Sequence, residues 1–550
     1  MTYLSSTKAA WRRERPLPLN PHQRKRPLMY KELTRRGFLV SGAALGGSLL
    51  LGGGLSGCSQ DTPVVPLLDL NTSEPRYGGR LRLGVIDGDQ TGSLDVHKPT
   101  STGSTIRGFA LYSKLWEWDE NMFPRLALAE EAEVNADATA WIIRLKPGLE
   151  FHHGKTIDAD DLIFSIRRLS DPQLASPYGN YVNIVDRDNL EKLDNRTVRI
   201  RFKEGRSFLS LPDTWVNFGG IVPVDYHPVN NPVGAGPYKL KQFLPGQRSL
   251  FTRFEHYFKP GQPYADELEI IDFKDQISRY AALVGGQIDI ANAIAPEQKT
   301  LFDNNPKAKL LVSESGTWRA FNMNTAKAPF DDVRVRQAFR LLTNRQELVD
   351  RVLIGEGRIA NDLYAPHDPT FNRHIPQRQL DIAEAKSLLR SAGHDKLTLE
   401  LTTDAAGANA ALVFAEQARL ADVRIHVKKI DNATFNGPRK NEWVMSTGGS
   451  LGQPFLAQAT SQDGPTSASN RTNFRDERFT QLYFAAQAQP DLGLRTPLVH
   501  EAQEIQHSRG GLLIWGFTNF LDGYTDRVGG LTAECSHFST WRFDNIWLRS

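Results

Sequence analysis

Residues 141–155 read Trp141-Ile142-Ile143-Arg144-Leu145-Lys146-Pro147-Gly148-Leu149-Glu150-Phe151-His152-His153-Gly154-Lys155, and 158–165 read Asp158-Ala159-Asp160-Asp161-Leu162-Ile163-Phe164-Ser165. The opening apolar run predicts a strand, and Lys146-Pro147-Gly148 predicts the turn that closes it. A helix is expected to start near Asp158, whose carboxylate can cap the amides of Asp160 and Asp161. Leu162, Ile163, Ile166 and Leu169 continue that helix at the right spacing. His152 and His153 invite a metal reading. Adjacent strand side chains point to opposite faces, however, and rarely share an ion, so a structural turn is expected. Asp158, Asp160 and Asp161 lack the spacing of an EF-hand and stand where a helix dipole favours acids, so capping is expected rather than calcium.

Outward from this stretch, strand and helix signals keep alternating. Residues 80–86 and 197–202 alternate at period two, as strands do. Residues 236–240 begin another strand, expected to pair with 249–254 through a Pro245-Gly246 turn. Asn344 with Glu347, and Asp381 with Glu384, have the spacing of N-terminal capping boxes. A strand at 397–403, a helix near 407–420 and a strand at 423–430 predict a parallel pair with a crossover helix. The class is mixed α/β, and 550 residues call for more than one domain.

The N-terminal segment reads differently. Thr34-Arg35-Arg36-Gly37-Phe38-Leu39-Val40 resembles the twin-arginine export signal, and a Gly/Ala/Leu stretch from 41 to 55 follows it. Leu55-Ser56-Gly57-Cys58 looks like a lipobox, which makes Cys58 the expected lipidated residue. A retained transmembrane anchor is the alternative, but the apolar run falls short of the roughly 20 residues a span needs. Residues 1–28 are basic and aperiodic, and Met29 stands where such a leader would begin. Residues 58–76 carry Pro63, Pro66 and Pro75 and read as a tether.

Charge follows the same division. Residues 1–57 hold ten Lys/Arg and two acids, a net +8, so with +3 for the whole chain the remainder carries −5. No basic surface is left to track phosphates, and no nucleic-acid partner is expected. Two cysteines cannot build a four-thiolate cluster or zinc site. No H-E-x-x-H or P-loop run occurs, and neither a metal nor a cofactor is expected. With Cys58 spoken for, Cys535 is expected to be a lone, buried or semi-buried thiol.

Four runs carry a family resemblance. The 141–165 stretch resembles the "LRxGxxFHDGxPxTAxDVxFS" pattern of the family 5 extracellular solute-binding proteins, the peptide/nickel class of ABC importers. Ser93-Leu94-Asp95-Val96-His97 resembles that family's "LDPH", and Gly234-Ala235-Gly236-Pro237-Tyr238 its "GTGPY". Ala328-Pro329-Phe330-Asp331-Asp332-Val333-Arg334-Val335-Arg336-Gln337-Ala338 resembles its "PFDDVRVRQA". The resemblance, covering roughly residues 80–550, implies a two-lobe periplasmic-binding-protein-like fold of the type II or cluster C style, with an extra subdomain in the first lobe. Lobe I would take 77–317, lobe II 318–517, and 518–550 would return to lobe I.

The resemblance also implies where a solute would sit. In the family's peptide binders a Trp and an Asp stand in the segment that matches 441–461, and the Asp holds the peptide ammonium. Here those places hold Thr447 and Ser450, and no acid occurs between Glu442 and Asp463. The family pattern and the hinge further suggest Thr100, Ser101, Ser104, Trp318, Asn322, Asn470, Asn473, Trp515 and Phe517 as pocket residues. Arg471 or Arg439 could pair with a ligand carboxylate. The plainer reading of each is core packing or solvated surface.

These readings point to an exported, membrane-anchored monomeric lipoprotein of the periplasm or cell envelope. It would capture a peptide or peptide-like solute without catalysis and deliver it to ABC permease subunits. The rivals are a binder of an opine, a sugar or a nickel chelate, and an exported enzyme.

Overall fold

The computed structural model describes residues 74–87, 92–216 and 219–549; Cys58, the export signal and most of the tether lie outside them. Lobe I is built on a seven-stranded sheet in the order Lys309–Ser313, Phe520–Tyr524, Ile290–Ala291, Arg80–Ile86, Glu267–Phe273, Arg248–Arg253, Tyr238–Leu244. Arg80–Ile86 runs parallel to both of its neighbours, which cover it on each side. Its Leu81, Leu83 and Val85 are buried accordingly. A separate antiparallel sheet of Ala129–Val134, Ala140–Leu145, Thr197–Arg201 and Glu191–Lys192 forms the extra subdomain.

Lobe II carries a six-stranded sheet in the order Gly357–Ile359, Leu512–Thr518, Trp318–Met323, Met445–Ser450, Leu397–Thr403, Val423–Lys429. The parallel pair expected from the sequence is Leu397–Thr403 with Val423–Lys429, crossed by the helix Ala408–Ala418. The hairpin Tyr238–Leu244 with Arg248–Arg253 is also present.

The motif runs turn out to be joints. Asp158 accepts from the amides of Asp160 and Asp161 and caps the helix Ala159–Leu169, and Asp161 reaches back to complete the box and pairs with Lys155. His152 sits in a turn, its Nε2 3.0 Å from the Gly236 carbonyl. Asp95 takes both Arg168 nitrogens at 2.8 and 2.6 Å, while His97 Nε2 lies 2.8 Å from the Gly220 carbonyl. Gly236 must be glycine, because a Cβ there would stand 2.4 Å from the Ala110 carbonyl oxygen at the end of the helix Thr102–Leu111. Arg336 donates to the Phe330 and Arg509 carbonyls, tying its turn to the end of the helix Leu492–Arg509.

The two capping boxes of lobe II form by halves. Asn344 and Asp381 accept from the amides of Glu347 and Glu384 as expected. Glu347 does not reach back; its carboxylate accepts from Gln417 at 2.9 Å and Arg351 at 2.8 Å instead. Arg351, one turn on in the same helix, and the Gln417 carboxamide of the helix Ala408–Ala418 together take the carboxylate in place of a single backbone amide.

Candidate functional site

The two lobes are joined by two strands of chain lying side by side. One leaves Lys309–Ser313 for Trp318–Met323; the other returns from Leu512–Thr518 to Phe520–Tyr524. Thr518 N donates to the Thr317 carbonyl at 2.8 Å, and Ser315 Oγ to the Thr518 carbonyl at 2.9 Å. Trp318 pairs with both Phe517 and Ser450, so the end of Met445–Ser450 lies at this junction, and the ends of Leu397–Thr403 and Val423–Lys429 share its direction. Ligands of open α/β sheets sit beyond such carboxyl ends.

Across the junction the lobes touch. Tyr181 Oη donates to Gln453 Oε1 at 3.0 Å. Leu209 N donates to the Gln487 carbonyl at 3.2 Å, and Ser210 N to Gln487 Oε1 at 3.3 Å. Lys299 of lobe I pairs with Glu356 of lobe II. Beside these contacts lies a cavity of about 110 Å³ lined by both lobes, with Phe123 and Asp213 on one side, His367, Gln453 and Arg495 on the other, and Gly316 of the linker between them. That is several times the roughly 10–15 Å³ one water needs and close to the ~150 Å³ that holds a benzene ring.

The charged lining is under-partnered. Asp213, on the short helix Leu211–Trp215, accepts one hydrogen bond, from Trp118 Nε1 at 3.2 Å. Burial pushes its carboxyl up to about 7, with the Trp118 bond and Arg495 opposing and Asp368 adding to the rise. His367 is pushed down to about 4 by burial and by Arg358 and Arg373, so it is neutral near pH 7, and its Nε2 is buried without a partner. Arg495 donates to the Gln489 and Pro490 carbonyls at 2.8 and 2.9 Å and makes no ion pair among the described residues. Asp368, by contrast, is fully engaged, accepting from Phe455 N at 2.7 Å and from both Thr370 donors.

None of the residues singled out from the sequence lines this cavity, although their neighbours Gly316, Gln453 and Pro454 do. Ser101 and Ser104 cap the helix Thr102–Leu111 as a reciprocal box, Ser101 Oγ donates to Asp87 at 2.9 Å, and Thr100 N donates to Ser104 Oγ at 3.0 Å. Trp318 and Trp515 are 1% exposed and pack in the two cores on opposite faces of the lobe II sheet, Phe517 beside Trp318. Asn322 donates to Ser446 Oγ and the Thr447 carbonyl, both at 3.1 Å, and Thr447 Oγ1 lies 2.8 Å from Thr403 Oγ1. Arg439 is exposed and pairs with Glu442. Asn470 donates to the Phe474 carbonyl and Asn473 to that of Asn441. Arg471 lies over the Phe435 ring at 4.8 Å and donates to Asn436.

Gly448-Gly449-Ser450-Leu451-Gly452 has the G-x-S-x-G spacing of a nucleophile elbow. The geometry does not supply one. Ser450 Oγ donates to the Leu451 carbonyl at 3.2 Å and accepts from Gln458 Nε2 at 3.1 Å, and no histidine bonds to it among the described residues. A serine without a base stays a weak nucleophile.

Residues 124–468, more than half of the chain, match the family described as bacterial extracellular solute-binding proteins, family 5 Middle. The chain belongs to that family. The resemblance read from four runs is thus borne out, and so is the two-lobe fold. The oligopeptide-binding protein AppA of Bacillus subtilis (strain 168) is 26% identical over 355 residues, covering 62% of this chain and 64% of AppA, a little under two thirds of its length. The glutathione-binding protein GsiB of Shigella dysenteriae serotype 1 is 27% identical over 447 residues, covering 76% of this chain and 86% of GsiB. Among solved structures, the PBP AgaA from A.tumefacien R10 in complex with agropinic acid superposes with a TM-score of 0.74 at 20% identity, over 86% of this chain and 99% of AgaA.

Proposed function

We propose that this protein captures a small solute between its lobes, outside the cytoplasm, and hands it to the permease of an ABC importer without making or breaking a bond. The observation that carries the reading is the cavity bounded by both lobes next to the paired linkers, a mainly apolar lining that carries a few charged groups. A solute filling it touches both lobes only when they are closed, and that differential contact favours closure. Family membership supports the same reading, and the relatives named for an oligopeptide and for glutathione favour a peptide-like cargo. Ser450 replaces the acid expected to hold a peptide ammonium, so an ordinary free-amine peptide fits that segment poorly. The AgaA likeness, solved with agropinic acid, keeps an opine-type solute as the second reading.

The expected life of the chain follows from its leader. Arg35 and Arg36 direct folded export, Cys58 takes the lipid, and 58–76 tether a monomeric clamp to the membrane. Thermal-shift screening of the purified protein against peptides, N-blocked peptides and opines tests the capture reading. A ligand at 100 times its dissociation constant adds about 2.7 kcal/mol to folding, which reads as a clear rise in melting temperature. Recovery of the hit unchanged by mass spectrometry supports binding, whereas a converted product would replace it with an enzyme. Fatty-acid labelling lost in Cys58→Ala tests the anchor; labelling that persists would remove it.

A further inference from the structure

We propose that the interlobe cavity is a head-group subsite for an α-amino-acid zwitterion, an ammonium and a carboxylate borne on one carbon, with Asp213 taking the ammonium and Arg495 the carboxylate. This rests on the solute-capture reading and names the end of the solute that the closing lobes grip.

The argument is one of complementary, unfilled charge. Asp213 stands on lobe I and Arg495 on lobe II, both lining the same 110 Å³ space. The Arg495 charge opposes the rise of the Asp213 carboxyl, yet the two form no ion pair among the described residues. A gap wider than a salt bridge therefore separates an acid with one hydrogen bond from a guanidinium bonded only to backbone carbonyls. A single-carbon zwitterion is the small group that presents a cation to one side and an anion to the other. Its five or six heavy atoms suit a space of this size.

Two further features fit the assignment. His367, on the Arg495 side, is held neutral by burial and by Arg358 and Arg373, so it adds no second positive charge to that wall. Gln453 brings a carboxamide to the same wall, held from lobe I by Tyr181. Asp213 and Arg495 come from different lobes, so the zwitterion bridges them and closes the clamp. Charge-assisted hydrogen bonds at both ends would select it over a neutral isostere.

Two isomeric dipeptides separate the idea from simple peptide binding. γ-Glutamyl-alanine carries the free zwitterion on one carbon; α-glutamyl-alanine has the same composition and charge but places its ammonium beside a peptide bond. Calorimetric titration of the intact protein should give at least tenfold tighter binding of the γ-isomer. Asp213→Asn and Arg495→Gln should each weaken the γ-isomer by tenfold or more and abolish the discrimination, while leaving the α-isomer unchanged. Equal affinity for the isomers, or discrimination that survives Asp213→Asn, overturns the subsite. Binding of only the α-isomer or of trialanine also overturns it but leaves solute capture standing. Silence of all three probes counts against both readings. Asp213→Asn is isosteric and keeps an acceptor for Trp118, so it stays informative even if Arg495→Gln loosens the 489–490 turn.

Discussion

Asp362 is wholly withdrawn from water and Asp213 largely so, and the protein treats them in opposite ways. Asp362 receives Arg345 through both oxygens at 2.8 Å, Arg378 at 3.0 Å, and has Arg340 at 3.7 Å. Burial acts to raise its carboxyl, and the three guanidiniums outweigh burial and hold it below the ordinary value of 3.8. Asp213 has one indole donor and is pushed up to about 7. A buried charge that serves the fold is saturated with partners, because leaving it bare costs several kcal/mol. Asp213, on the wall of the cavity bounded by both lobes, is left with a single donor and a strongly raised carboxyl, the kind of perturbation that clusters at functional sites.

The largest effect tests the saturated acid. Asp362→Ala strands Arg340, Arg345 and Arg378 in the lobe II interior, and the loss should be about 3–5 kcal/mol. That is a large part of the roughly 5–15 kcal/mol that holds a typical domain together. Urea unfolding followed by tryptophan fluorescence should show an earlier midpoint for the variant, and a change below about 1 kcal/mol would break the comparison at its first term. The parent's acid sensitivity has the matching sign. A carboxyl depressed in the folded state contributes stability above pH 3.8, and that contribution disappears as pH falls through the folded value.

The unsaturated acid should behave in reverse. With a folded value of about 7 against an ordinary 3.8, Asp213 holds a proton in the native state that the unfolded chain releases. Native stability from this group is therefore complete below pH 3.8 and declines as pH rises to about 7. Asp213→Asn removes the decline. It should match the parent at pH 4 and exceed it at pH 8 by about 1–3 kcal/mol, the shift being discounted for a half-buried group. Denaturation midpoints of both proteins at the two pH values check this; a variant less stable at pH 8 would contradict it. A substitution that stabilises the fold while weakening the solute is the usual signature of a functional charge.

The same contrast explains what could be read from the chain and what could not. Local signals were legible: the strand and turn at 140–148, the Asp158 cap, the hairpin through Pro245-Gly246 and the parallel pair at 397–429 all depend on neighbours within about 30 residues. The family runs were legible because Asp95, Gly236 and Arg336 build joints whose geometry tolerates few other residue types. The cavity was not legible. Asp213, His367 and Arg495 lie on a five-residue helix, a loop and a long helix, with up to 282 positions between them, and no motif marks them. Trp318 and Trp515 looked like pocket aromatics because they flank the linkers, yet each turns into a core. Strand alternation tells that neighbours face opposite ways without telling which face is the cleft.

The smallest effect asks whether the Asp213 anomaly belongs to the closed clamp. Tyr181 Oη gives a 3.0 Å hydrogen bond to Gln453 across the junction, and Gln453 lines the cavity. Tyr181→Phe keeps the ring and deletes the hydroxyl that bonds Gln453 and Ser461, both of lobe II, which is worth about 0.5–1.5 kcal/mol per bond to the closed form only. In the open form water serves these groups, so the lobes themselves should unfold as before. The closing equilibrium should move toward open by about two- to tenfold for each bond, and solute affinity should fall by the same overall factor. Small-angle X-ray scattering should report a larger radius of gyration without ligand and a normal one at saturation. Opening also returns water to Asp213, so the extra stability that Asp213→Asn shows at pH 8 should shrink in the Tyr181→Phe background. If that pH-dependent gain is undiminished while the scattering shows the lobes apart, burial of Asp213 comes from lobe I alone, and the contrast with Asp362 is one of packing within a lobe rather than of a clamp awaiting its solute.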